Sequence, residues 1–200
     1  TVAIGYNAGN AITSGVGNIA IGLNAFDVAQ TSDYNIAIGY NALGAVNGSG
    51  SGANVAVGYA AGQSLTDGTF NVAIGTSALA SSAQSHKNIA IGYGALYTQE
   101  HDSIQANVGV GYEAGFHNTT GNNNVYVGYQ AGTGTSSGNQ SDNVGIGKGA
   151  LTALDEDASS NTAVGSGAGG SITDGQTNVC IGKGAGVTTD ALTTGGDCIV

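Results

Sequence analysis

The chain has 200 residues, 37 of them glycine, with no proline, methionine or tryptophan, and three basic residues face thirteen acidic ones for a formal charge of −10. That balance speaks against nucleic acid or anionic lipid as partners, because both are held by clustered Lys and Arg. No apolar run approaches the ~20 residues of a membrane-inserted helix, no signal peptide is read at residue 1, and a core can arise only if the few large apolar residues are placed regularly.

They are placed regularly. Taken in chain order, tetrads of the form Asn-(Ile/Val)-small-(Ile/Val) occupy 1–4, 18–21, 35–38, 54–57, 71–74, 88–91, 107–110, 124–127, 143–146, 161–164 and 178–181. A glycine follows each, from Gly5 and Gly22 to Gly165 and Gly182, at intervals of 17 to 19 residues. The tetrads open on Asn18, Asn35, Asn54, Asn71, Asn88, Asn107, Asn124, Asn143, Asn161 and Asn178, with Thr1 alone departing. Three residues beyond each glycine stands an alanine, from Ala8 and Ala25 to Ala168 and Ala185. Repeats of this kind define the fold. No composition break divides them, so residues 1–200 are read as one domain.

Within a tetrad the period is two. In Asn71-Val72-Ala73-Ile74 the two branched residues share one face and Ala73 takes the other, as in a strand. Gly, Ser, Thr, Asn and Asp fill the spaces between tetrads, and no segment sustains a helical period. The expected fold class is all-β, a single parallel β-solenoid (β-roll) of about eleven to twelve rungs of 17–19 residues. At ~4.8 Å per rung it makes a rod on the order of 50 Å long. The branched pair is expected to point inward. A second short strand is expected near the constant alanine, its wall filled by Leu43, Leu79, Leu96 and Leu151 or by Ile12, Leu65 and Ile172. The rungs around Gly111, Gly128 and Gly182 fit neither scheme.

If the branched pair points inward, the small residues between them point outward: Ala20, Ala37, Ala56, Ala73, Ala90, Gly109, Gly145 and Ala163, with Tyr126 and Cys180 as exceptions. A solvated strand would carry Thr, Lys or Glu there, so this column is expected to be a contact between chains. The asparagines are expected to form a hydrogen-bonded ladder, as amides do in parallel stacks. Tyr6, Tyr40, Tyr59, Tyr93, Tyr112 and Tyr129, each following a repeat glycine, are expected either to stack on the outside of the rod or to face a ligand such as a sugar.

Little else points to chemistry. His86, His101 and His117 lie in three different loops without metal-ligand spacing. Asp155-Glu156-Asp157 lacks the glycine-containing pattern of a calcium loop and reads as a solvated turn. No Gly-x-x-x-x-Gly-Lys-Ser/Thr string occurs. No catalytic residue, metal or cofactor is expected. Cys180 and Cys198 both precede an isoleucine and are 18 residues apart, which places them at equivalent points of adjacent rungs, within disulfide reach in an oxidising compartment. The alternative is a pair of thiols at a subunit contact.

The string Ile4-Gly5-Tyr6-Asn7-Ala8-Gly9 resembles the hexapeptide of left-handed β-helix acyltransferases. Those enzymes set it back to back, about three to a coil, whereas here it occurs once per rung. A fuller resemblance rests on Asn35-Ile36-Ala37-Ile38-Gly39-Tyr40-Asn41-Ala42-Leu43 and Asn54-Val55-Ala56-Val57-Gly58-Tyr59-Ala60-Ala61-Gly62 and spans essentially the whole chain. These strings resemble the head repeats of trimeric autotransporter adhesins and similar runs in bacteriophage tail fibres. This chain lacks the adhesin's serine after Asn, and its rungs are longer. The resemblance implies a left-handed parallel β-roll, three identical chains side by side, and an extracellular place on a cell or virion surface. It also implies a non-enzymatic fibre that supports attachment to a host glycan or protein receptor.

Residue 1 enters in mid-rung and Cys198-Ile199-Val200 begins another tetrad, so the chain is expected to be a fragment of a longer fibre or a unit stacking end to end into a filament. A glycan- or ice-binding solenoid is a further alternative, with the acyltransferase behind it.

Overall fold

The computed structural model of the chain describes residues 1–29, 31–46, 52–99, 105–135, 138–155 and 157–187. It is a β-solenoid without helix among those residues. One strand arises from each tetrad: β1 (Val2–Ile4), β2 (Ile19–Ile21), β3 (Ile36–Ile38), β4 (Val55–Val57), β5 (Val72–Ile74), β6 (Ile89–Ile91), β7 (Val108–Val110), β8 (Val125–Val127), β9 (Val144–Ile146), β10 (Thr162–Val164) and β11 (Val179–Ile181). They form one parallel sheet in sequence order, each strand bonded only to the rungs before and after it. Register is uniform, so like positions stack: Val55↔Val72, Ala56↔Ala73 and Val57↔Ile74 in one pair, Val72↔Ile89, Ala73↔Ala90 and Ile74↔Ile91 in the next.

The glycine after each strand is required twice over. From Gly5 to Gly182 this column has φ between 123° and 139°, a region closed to L side chains. The backbones also approach closely there, and a Cβ on Gly75 would lie 2.6 Å from the carbonyl oxygen of Gly92.

The orientation of the strands is the reverse of the expected one. Ala20, Ala37, Ala56, Ala90 and Ala163 are fully buried and Ala73 nearly so, within the core of a single chain. The branched residues flanking them are half-buried or exposed on every strand. The reason is space. The interior has one wall of strand and one of turns, and the second wall projects leucines across it. Leu43, Leu65, Leu79, Leu96, Leu151 and Ile172 are fully buried and pack against the small column. A methyl group fits opposite a leucine; a second branched residue does not.

The second wall is not a strand. Its second and fourth residues after the glycine adopt left-handed backbone, as in Asn24 (φ 53°) and Phe26 (φ 50°), or Ser77 (φ 55°) and Leu79 (φ 52°). Such a conformation costs about 1–2 kcal/mol for a non-glycine residue. Burial of the leucine, worth about 1.5–3 kcal/mol, offsets it. The wall is also tied between rungs, Ser77 N donating to Tyr59 O at 2.9 Å and Leu79 N to Ala95 O at 3.0 Å.

Two of the unassigned rungs are filled by one residue. Tyr126 takes the inward position of β8 and is fully buried, where the second wall offers only Gly115 and Gly132 in place of leucine. It pairs with Gly109 on β7 and Gly145 on β9, so neither neighbouring strand places an inward side chain beside it. A Cβ on Gly132 would overlap the ring at 2.1 Å from its Cδ1.

Candidate functional site

Five columns of side chains run along the rod, and the outward-facing ones are the candidate surfaces for function. The first is structural. Each ladder asparagine from Asn35 to Asn178 donates its backbone N–H to the side-chain Oδ1 of the asparagine one rung earlier, at 2.8 Å for Asn35 to Asn18 and 3.0 Å for Asn88 to Asn71. Nδ2 then donates to a turn carbonyl, Asn18 to Ser32 O at 2.7 Å and Asn71 to Ser85 O at 2.7 Å. All ten amides are buried. Asn18, Asn54, Asn71, Asn107, Asn124, Asn143 and Asn161 thus tie a strand start to the turn of the following rung, whereas Asn88 Nδ2 donates to Gln105 Oε1 and Asn178 Nδ2 to Asn161 Oδ1.

Where rungs are longer, interior glutamines join this ladder. Gln105 Oε1 accepts from Asn88 Nδ2 at 3.1 Å and from His86 N at 2.9 Å. Gln99 Oε1 accepts from Asn107 Nδ2 at 2.8 Å. Sequence reading missed these glutamines, although a glutamine in an inserted turn beside an amide ladder is a readable signal.

The second column is the inward small one. Ala20, Ala37, Ala56, Ala73, Ala90, Gly109, Gly145 and Ala163 therefore cannot be a contact between chains, since the chain's own second wall covers them. The outward side of the strands is the opposite face. There the branched residues form two parallel ladders, with Ile74 37%, Ile89 40%, Ile91 36% and Ile146 39% exposed. From β1 to β11 those ladders hold only Ile and Val apart from Thr162.

The tyrosines form the remaining column, just beyond the glycines, and all six are exposed. They stack in two runs. Tyr40 and Tyr59 lie 5.1 Å apart between ring centroids; Tyr93, Tyr112 and Tyr129 follow at 5.1 and 5.2 Å. A hydrogen bond to Glu113 raises the Tyr112 phenol above its ordinary value, with partial desolvation adding to the shift. Burial pushes the Tyr126 phenol well above its own, and Asn143 opposes the shift.

A second aromatic column, missed in the sequence, consists of Tyr97 and Phe116, stacked at 4.9 Å five residues beyond their glycines. His117 packs edge-on against Phe116. His86 Nδ1 lies 2.9 Å from Thr69 Oγ1 and accepts the Thr69 N–H at 3.2 Å, while His101 falls outside the described residues. Asp155 accepts from Thr135 Oγ1 at 2.7 Å; Glu156 lies outside the described residues. No group of three His, Cys, Asp or Glu residues suited to a metal occurs among the described residues. Cys180 is buried in the inward column opposite Ala163, and Cys198 lies outside the described residues, so their pairing is not described. No family model, curated protein or solved structure matches this chain.

Proposed function

We propose that the chain is a non-enzymatic structural rod of an extracellular fibre, on a cell or virion surface, and that identical copies lie side by side along the outward Ile/Val ladders to support attachment. The observation that carries this reading is the aliphatic character of that outward face over eleven strands. A water-facing strand surface ordinarily alternates to polar residues. Eleven rungs at ~4.8 Å and two side-chain columns make a strip of roughly 500 Å², at the upper end of what lone soluble proteins expose.

A second copy is the fitting occupant because the strip is uncharged and regular at the rod's own period. The resemblance to adhesin heads and tail fibres implies three copies. Mass determination by light scattering at micromolar concentration tests the reading. The native chain should be an oligomer, with three copies favoured, and Ile38→Lys with Ile74→Lys should shift it to monomer. A monomeric native chain, or an unchanged mass in the variant, would overturn lateral assembly.

A further inference from the structure

The tyrosine column is interrupted. Between Tyr59 and Tyr93 the equivalent position holds Thr76, and the two stacked runs end on either side of it. Tyr59 stacks on Tyr40 behind it and Tyr93 on Tyr112 ahead of it, so each turns its other face toward the threonine. Two rungs at ~4.8 Å separate these faces by ~10 Å, twice the spacing of one stacked ring on another. The gap has the thickness of one further ring. The other interruption, at Leu23 between Tyr6 and Tyr40, is occupied by a larger aliphatic chain.

Tyr93, which bounds this gap on one side, also lines a pocket of about 250 Å³ together with Ser77, Gly94, Tyr97 and Phe116. Three features of these rungs shape the gap and the pocket. Position 94 is glycine, where a Cβ would press on Phe116 Cε2 at 3.1 Å. Tyr97 and Phe116 place aromatic rings where other rungs carry small, polar or aliphatic residues. Thr76 removes a tyrosine.

We infer that Tyr59, Thr76 and Tyr93, with the adjoining Ser77–Tyr97–Phe116 pocket, form a binding site for a neutral pyranose of a glycan. A pyranose presents C–H groups on its ring faces and hydroxyls at its rim. The rings of Tyr59 and Tyr93 bound the gap on either side, and Thr76, Ser77, Tyr59 and Tyr93 all carry hydroxyls, the mixed chemistry that small-ligand sites share. No charged residue lines the pocket. Glu113, beside Gly94, has its carboxylate engaged, accepting from Gln130 Nε2 at 2.8 Å. The occupant is therefore uncharged rather than acidic. A quaternary ammonium would need rings on several sides, whereas Tyr97 and Phe116 lie within 2° of parallel and cover each other's faces.

The inference names a ligand for the attachment role proposed above, and it fails separately from it: mass tests assembly, and sugar binding tests this site. Saturation-transfer NMR on the native assembly should use methyl β-glucoside, methyl β-galactoside, methyl α-mannoside and N-acetylglucosamine, with tetramethylammonium as the cationic control. At least one pyranoside should bind, with a dissociation constant on the order of 1 mM. Thr76→Tyr should complete the tyrosine stack, keep or raise the melting temperature, and weaken binding at least tenfold. Tyr97→Ala should weaken it several-fold. Binding by none of the four sugars, equal binding by Thr76→Tyr, or preference for tetramethylammonium would overturn the assignment.

Discussion

Replacing Tyr126 by alanine should open the rod at its weakest-filled point. The ring occupies interior space that Gly115, Gly132 and Gly145 leave open, and Leu96 fills the place beside Gly109. None of these glycines has a side chain that can move into the vacancy. Removing the ring opens a cavity of roughly 100 Å³, or ~2.5 kcal/mol at ~24 cal/mol per Å³, and the lost transfer term brings the total to ~3–5 kcal/mol. Leucine, the filler of the other rungs, should restore most of this, leaving a deficit of about 1–2 kcal/mol.

In a solenoid each rung contacts only its neighbours, so the damage should be local. Native-state hydrogen exchange reads it directly. Amides of β7, β8 and β9 should lose protection by about the full ~3–5 kcal/mol, while β2 to β4 change little. The two clusters of buried apolar residues meet at this point, one ending at Leu96 and the other starting at Ala114 and Tyr126. Urea unfolding of Tyr126→Ala should accordingly separate into two transitions. Exchange in β7–β9 that falls by less than ~1 kcal/mol would refute the reasoning, since the ring would not then be the support of those rungs.

Ala73→Lys should unfold its rung, because a charge would enter an interior with room for a methyl group, whereas Ile74→Lys should leave the circular dichroism of the chain unchanged; equal effects of the two would refute the assigned faces. Asn71→Ala removes the acceptor of the Asn88 N–H and the donor to Ser85 O, and should cost ~2–4 kcal/mol in urea unfolding. The pH dependence follows from Tyr126. Its folded phenol ionises above the ordinary value of ~10, so its contribution is complete below pH ~10 and is lost as pH rises beyond it, where the unfolded chain holds fewer protons. The alkaline fall in melting temperature should therefore be shallower in Tyr126→Phe than in the native chain.

The period, the strand positions, the single sheet and its register were all legible, because each is carried by residues spaced one rung apart. The Asn18-to-Asn178 ladder was legible for the same reason: identical amides at one rung's separation have each other as partners. Two things were not. Alternation of period two separates the faces of a strand without saying which is inside. Ranking by side-chain hydrophobicity placed Ile and Val within, and the structure places Ala there. The backbone of the second wall was also misread, because Leu43, Leu79 and Leu96 in left-handed conformation contradict the usual preference of such residues.

The sequence did carry the deciding signal, in Tyr126. Where that column turns large, the positions one rung before and one rung after are Gly109 and Gly145, and the leucine position of the second wall is also glycine. On a water-facing surface a tyrosine needs no such concession from its neighbours; compensation of volume across rungs is a property of an interior. The outward columns show none, since Ile and Val exchange freely along them with half-exposed side chains. A narrow interior filled from one side by leucine leaves the strand's larger apolar residues outside, and their conserved parity over eleven rungs makes sense once a second surface lies against them. The same geometry that excludes isoleucine from the core thus supplies the face along which rods can associate.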